Sequence, residues 1–441
     1  MPWPGGAPPE PAVLAAWLAD ARRTTLALVE DLGDDQLLGP RLAIINPFLW
    51  EIGHAAWFQE KWLLRHAGGE APLCADADRL YDSAAVAHDT RWDLPLPPRA
   101  ETLGYMQAVL DRVLERLARG PVSETEAYFA LLSIYHEDMH TEAFTYTRQT
   151  LGYPRPEVLL ALAGQSLEAG AGALTGDAEV PGGRFLLGAA PGTGFVFDNE
   201  KWAHEVEVAP FAIARAAVTQ AEVAAFVEEG GYRRRELWSD AGWAWREREG
   251  AEAPLYWRRV DGGWQRRDFD RWLPLEPHHA AIHVGYWEAE AWCRWAGRRL
   301  PTELEWEVAA AGEPDASGRS LAAHKRRFPW GDEAPTPERA QLDFRGLGRA
   351  DVAAFPRGDS AFGCRQMLGN AWEWTSTDFG PYPGFVTDPY QEYSAPWFAG
   401  HKVLRGGAWT TRGRLLRNTW RNFYPPHRRD VWAGFRTCRP G

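Results

Sequence analysis

Ile134-Tyr135-His136-Glu137-Asp138-Met139-His140-Thr141-Glu142 is the stretch on which the reading of this chain turns. Residues four apart on an α-helix lie one turn from each other on one face, so the imidazoles of His136 and His140 can converge on a single metal ion. Such a pair can equally be two satisfied polar side chains. Two features of the surrounding sequence favour the metal. Met139, Ala143 and Phe144 mark a largely buried apolar helix, where neighbouring imidazoles are costly unless coordinated or hydrogen-bonded. A third histidine, His54, sits in a second apolar helical run, Trp50-Glu51-Ile52-Gly53-His54-Ala55-Ala56-Trp57-Phe58.

Outward from these two runs the first part of the chain keeps helical periodicity. Apolar residues recur at helical spacing over Ala12 to Leu32, Pro47 to Leu64, Tyr105 to Leu117 and Glu124 to Tyr146. Four long helices with one crossover form a bundle, and bundles hold metal ligands on facing helices. The connection Ala71 to Pro98, with His88-Asp89-Thr90-Arg91-Trp92, is too long for an ordinary loop and reads as functional or mobile. Composition then turns to Gly, Ala and Ser, which marks a linker over 166–180 between a first domain, 1–165, and a second, 181–441. In the second, short apolar stretches such as Arg184-Phe185-Leu186-Leu187-Gly188 alternate with Gly, Pro and Asp turns, as in irregular β-rich folds. Helices are expected there at Gln220 to Glu229 and Trp287 to Ala296. The fold class is therefore α+β in two domains.

The formal net charge of −12 argues against nucleic acid or an anionic membrane as partner. Cys74, Cys293, Cys364 and Cys438 are widely separated and form no CxxC pair, so a disulfide framework or thiolate zinc site is not expected and a reducing cytoplasm is. Met1-Pro2-Trp3-Pro4-Gly5-Gly6 lacks the features of a signal peptide, and no apolar run approaches the roughly 18 residues a membrane helix needs. A monomer acting on small molecules is the expectation.

Gly182-Gly183-Arg184-Phe185, Asp198-Asn199-Glu200, Arg299-Leu300-Pro301-Thr302-Glu303-Leu304-Glu305-Trp306-Glu307, Pro329-Trp330-Gly331-Asp332, Gly369-Asn370-Ala371-Trp372-Glu373-Trp374-Thr375, Leu404-Arg405-Gly406-Gly407-Ala408-Trp409 and Gly434-Phe435-Arg436 follow one another in the second part. Their order resembles the formylglycine-generating-enzyme (sulfatase-modifying factor) domain, a variant of the C-type-lectin fold. The paired active-site cysteines of those enzymes have no counterpart in Arg412 to Asn422, so copper-thiolate oxidation is not implied. In the first part, His54 with His136, His140 and Glu142 resembles the DinB-like metalloenzyme bundle. Joined in this order, the halves resemble the ergothioneine-type sulfoxide synthases, which use iron(II) and dioxygen to join a sulfur donor to carbon 2 of an imidazole.

The resemblance implies metal ligation by His54, His136 and His140, Fe(II) as cofactor, and hercynine (trimethylhistidine) and O2 as substrates. In thiol-using members, basic residues of the loop after the first histidine helix grip the carboxylates of γ-glutamylcysteine. Here that loop runs Tyr81-Asp82-Ser83-Ala84-Ala85-Val86-Ala87-His88-Asp89-Thr90-Arg91-Trp92, and it looks like the selenoneine synthase branch, whose donor is a selenosugar. Asn422, Phe423 and Tyr424 match the family's substrate-binding turn, with Asn422 on the hercynine carboxylate. Tyr424 stands where thiol-using members carry an acid for the donor's amine. Aromatic faces for the quaternary ammonium are sought among Trp372, Trp374, Phe423 and Tyr424. Tyr382 corresponds to the catalytic tyrosine of oxygen activation, with Tyr390 and Tyr393 as alternatives. Glu142 is assigned the orientation of a ligand histidine, against the alternative of a helix salt bridge.

Three histidines also suit zinc, so the ligand types leave a zinc-dependent thiol transferase or hydrolase open, as well as a thiol donor, γ-glutamylcysteine or cysteine, on iron. A lectin-like, non-catalytic binding module is the third class.

Overall fold

Helix-start chemistry sets the first helices. Pro11 opens α1 (Pro11–Ala27) from its first turn, where a missing N–H is harmless. Ser123 caps α6 (Glu124–Leu151) by accepting from the Glu126 N–H while Glu126 returns a bond to Ser123, and Gly152 ends it in the left-handed conformation. Between them lie α2 (Asp34–Leu38), α3 (Phe48–Gln59), α4 (Ala77–Tyr81) and α5 (Arg99–Leu117). This computed structural model describes residues 7–164 and 170–441. Met1 to Gly6, where no signal peptide was expected, lies outside the described residues.

The first unit ends at Leu162 and includes Pro191–Phe195. In it α1 packs on α5 and α6, and α3 packs on the same two helices, giving a four-helix bundle. At Gln59 the helix of α3 widens into a π-helical run, Glu60–His66, closed by Ala67 N–H donating to Trp62 O at 3.1 Å. The long connection expected to be functional or mobile is a built segment. It holds α4 and a 3₁₀ turn, His88–Thr90, and α4 packs on α3.

A buried polar knot ties the bundle together. Arg22 on α1 donates through Nε to Glu137 Oε1 (2.9 Å) and through Nη2 to Gln59 Oε1 (2.8 Å). Gln59 Nε2 donates to Glu137 Oε2 (2.6 Å), and Thr25 Oγ1 to Glu137 Oε1 (2.8 Å). One carboxylate on α6 is thereby held from α1 and α3 at once.

Of the stretch expected as linker, 166–169 lie outside the described residues and 170–176 form no helix or strand. Asp177–Val180 is β1, because its alternation turns Ala178 and Val180 inward when it pairs antiparallel with β4 (Phe211–Ala214). The short helix α7 (Val158–Ala163) precedes this stretch. The second unit continues with the hairpin β2 (Gly183–Leu187) and β3 (His204–Val208), then α8 (Gln220–Glu228) and α9 (Asp240–Glu249). The meander β5 (Trp257–Val260), β6 (Gly263–Asp268), β7 (Arg271–Pro274) follows, then α10 (Tyr286–Trp295) and α11 (Glu303–Ala311). The last sheet has the order β10 (Asn422–Tyr424), β9 (Lys402–Arg405), β8 (Trp372–Asp378), β11 (Ala433–Phe435), with β11 parallel to β8. The fold is α+β, and the helices expected near 220 and 290 stand within a residue of their expected limits.

Tryptophans fill the core of this unit. Trp306, Trp372, Trp374 and Trp409 are buried, and each of two polar handles finds a partner: Trp306 Nε1 donates to Glu373 (2.7 Å) and Trp374 Nε1 to the Val284 carbonyl (2.8 Å). Arg436 pairs with the same Glu373, and Arg405 with Glu303 and Glu307, so the buried charges are compensated. Among the described residues all four cysteines are free thiols, and no helix is long and apolar enough to cross a membrane.

Candidate metal centre

His136 and His140 project from one face of α6, and His54 reaches them from α3. His54 Nε2 lies 3.3 Å from His136 Nε2, and His140 Nε2 lies 3.2 Å from the same atom. Three nitrogens at this spacing form the base that an ion about 2.1 Å from each would complete. Among the described residues this is the one cluster of at least three His, Cys, Asp or Glu side chains close enough to hold a metal.

The other ring nitrogens decide which atoms face inward. His54 Nδ1 is 2.7 Å from the Tyr81 carbonyl, which can only accept, so Nδ1 carries the proton and Nε2 keeps its lone pair. His140 Nδ1 is 2.6 Å from Glu51 Oε1, with the same consequence. Burial holds the His54 and His136 imidazoles well below the usual histidine range, and the neighbouring His140 adds to it in both. Both are therefore neutral near pH 7, the state a ligand needs.

Apolar packing fixes the rings. Phe58 stacks on His136 with centroids 3.6 Å apart and planes within 4°, and Trp50 stacks on His54 at 4.7 Å. Gly53 lets Tyr81 approach: a Cβ there would lie 2.3 Å from the Tyr81 ring. Gly53→Ala gains at most about 1 kcal/mol of helix propensity. Displacing the buried Tyr81 costs about 1–3 kcal/mol, so the clash wins. The variant is expected to melt at lower temperature and to bind metal more weakly, because Tyr81 also supplies the carbonyl that orients His54; thermal unfolding and metal titration check the two effects.

The carboxylate bonded to His140 is that of Glu51, where the sequence had pointed to Glu142. Glu142 is buried two residues beyond His140, but the His140 Nδ1 bond goes to Glu51. A signal was available, since Glu51 and His54 are three apart and share a helical face.

The other expected residues belong to the second unit. Tyr382 is buried, with its hydroxyl lacking a hydrogen-bond partner among the described residues and the Arg421 guanidinium 4.1 Å from its ring centre. Burial, with nearby Glu303, pushes this phenol well above its usual range, so it keeps its proton. Asn422 Oδ1 accepts from the Phe423 N–H at 2.8 Å. Phe423 stacks on Phe379 at 4.0 Å, and Tyr424 lies under the Arg428 guanidinium at 5.1 Å. Tyr393 stacks on Phe197 at 4.4 Å, and Tyr390 is its ring neighbour at 6.0 Å. Trp372 and Trp374 are not open faces for a quaternary ammonium: both are spent on the core, Trp372 against Trp420 and Trp374 on the Val284 carbonyl.

Residues 168–440 match the sulfatase-modifying factor enzyme 1-like domain, and residues 17–143 match the DinB superfamily. Across both, the chain is 40% identical to a hercynine oxygenase of Mycolicibacterium thermoresistibile, over 99% of this chain and 98% of that one. It belongs to the hercynine oxygenase family. A second member, from Mycobacterium tuberculosis, is 39% identical over 97% of this chain and 98% of its own. The formylglycine-generating enzyme of Streptomyces coelicolor shares 34% identity over 53% of this chain and 78% of that enzyme. Membership in the hercynine oxygenase family makes the chain an oxidoreductase, and it accounts for both halves together.

Proposed function

We propose that the chain is an iron(II)- and dioxygen-dependent enzyme that joins the selenium of a selenosugar to carbon 2 of hercynine. The observation that carries the reading is the convergence of three Nε2 lone pairs, two of them fixed by the bonds their Nδ1 atoms make. This donor set fits a divalent ion: His54, His136 and His140 would hold it and leave three octahedral positions open. Iron bound there would supply the redox chemistry with dioxygen.

The chain's own residues supply the rest. Phe58 and Trp50 keep water from two of the ligand rings. The Asn422 oxygen is engaged by the Phe423 N–H, so its amide hydrogens are the groups it would offer to the hercynine carboxylate. Phe423 offers an aromatic face to the trimethylammonium. Tyr382 keeps its phenolic proton and is the donor of it in the reaction. The balance is four electrons: the C2–H and Se–H bonds break, C–Se and Se–O bonds form, and the second oxygen atom leaves as water.

Two features support the sugar donor. Arg91, the arginine of the stretch from Tyr81 to Trp92, is committed inside the protein: it donates to Asn46 Oδ1 at 2.6 Å and lies 3.9 Å above the Trp50 ring. Tyr424 brings no charge to pair with a donor amine. Metal-free protein is loaded anaerobically with Fe(II), given hercynine with a selenosugar or γ-glutamylcysteine, and exposed to oxygen. Mass spectrometry is expected to show selenosugar consumed at least about tenfold faster, a difference of about 1.4 kcal/mol in barrier. Faster use of γ-glutamylcysteine or cysteine replaces the donor, and oxygen-independent turnover with tightly bound zinc replaces the metal.

A further inference from the structure

We propose that Glu51 is a positioning residue for His140, so that α3 provides one imidazole of the centre through His54 and aims a second through Glu51. The inference rests on the metal-centre reading above. Glu51 and His54 stand one turn apart on α3, while His140 stands on α6. Glu51 Oε1 accepts from His140 Nδ1 at 2.6 Å, a short bond for an N–H donor and the geometry of a carboxylate–histidine–metal triad.

Folding alone gives little reason for a carboxylate here. Glu51 is 1% exposed, and its second oxygen, Oε2, has no hydrogen-bond partner among the described residues. A buried carboxyl with one oxygen unsatisfied costs stability, and apart from His54 and Gln59 the other residues of α3 are apolar or glycine. A dication across the imidazole ring offsets that cost, because the negative charge then has a counter-charge one ring away. The clamp also matters most on this ring. The His140 side chain is 18% exposed, and among the described residues the rings of His54 and His136 meet it only at steep angles, 70° and 59°, whereas Phe58 and Trp50 lie nearly flat on His136 and His54.

The full chain, stripped of metal, is titrated with Co(II), whose visible bands report coordination geometry. Glu51→Ala is expected to bind Co(II) about 10–100-fold more weakly than the parent and with altered bands. Glu51→Gln, whose amide oxygen can still accept from Nδ1–H, is expected to recover most of the affinity and the parent spectrum. A purely structural Glu51 would lower the melting temperature of Glu51→Ala while leaving affinity and bands unchanged, and that result overturns the proposal. A Gln variant as weak as the Ala variant overturns it too. Should Glu51→Ala not fold, Glu51→Asp carries the same readouts, with weakened binding expected because its reach is one methylene shorter. If the parent protein itself takes up no Co(II), the metal-centre reading falls and this proposal with it; parent binding with an unaffected Glu51→Ala removes the proposal alone.

Discussion

Replacing His54 with alanine is expected to abolish stoichiometric metal binding and to lower turnover about a thousandfold or more, with the helical content of the protein kept. His54 is the one ligand contributed by α3, and its removal leaves two nitrogens from adjacent turns of α6. If the bound ion lowers the barrier by about 4 kcal/mol, its loss corresponds to about a thousandfold in rate. The imidazole makes its Nδ1 bond to the Tyr81 backbone, so truncating it removes a ring and leaves one carbonyl to be rehydrated. Metal content after desalting, far-ultraviolet circular dichroism and turnover with hercynine measure the three effects. His66→Ala is the control, since this histidine continues the same helix in its π-helical run and packs edge-on against Phe129, away from the ligand set. A non-catalytic binding module predicts the opposite pattern, with ligand binding intact in His54→Ala.

What could be read from the sequence divides along a physical line. The bundle was legible because four apolar stripes at helical spacing must be buried, and the cluster of three histidines because imidazoles on such stripes need partners. The limits of the helices were less so. The α3 stripe runs to His66 because a π-helical turn absorbs a change of phase that ordinary periodicity does not anticipate. Glu51 was not legible beside His140, because the acid that follows His140 in sequence is Glu142, on the same helix. The bond that orients His140 crosses between helices, so the three-residue spacing of Glu51 and His54 puts the carboxylate on the face of α3 that carries His54 without naming the partner it finds on α6. In the second part, Trp372 and Trp374 were sought as aromatic faces, and the sequence did not show that both would be core. Trp372 and Trp374 are both inward on β8, and the backbone carbonyl that accepts from Trp374 comes from Val284, distant in sequence. Likewise β1 hid inside an apparent linker, since four alternating residues become a strand only when β4 is beside them.

Glu137→Ala is expected to destabilise the protein by about 3–5 kcal/mol and to weaken metal binding as well. The side chain is wholly buried and receives bonds from Arg22, Gln59 and Thr25. Without it, Arg22 stays 1% exposed with its charge uncompensated, keeping only the Met106 carbonyl and Gln59. The coupling to the metal follows from position. Glu137 is the residue after His136, and Gln59, which it holds, follows Phe58, the ring stacked on His136. Loosening the knot therefore frees the backbone on both sides of that stack. Removing both charges tests the cause: Arg22→Met combined with Glu137→Leu is expected to recover much of the lost stability, because an apolar pair of similar volume leaves no buried ion behind. Chemical denaturation of the parent, the two single variants and the double variant gives the coupling energy. A double variant no more stable than Glu137→Ala would show that the knot acts through its shape and hydrogen bonds, not through the charge left unpaired.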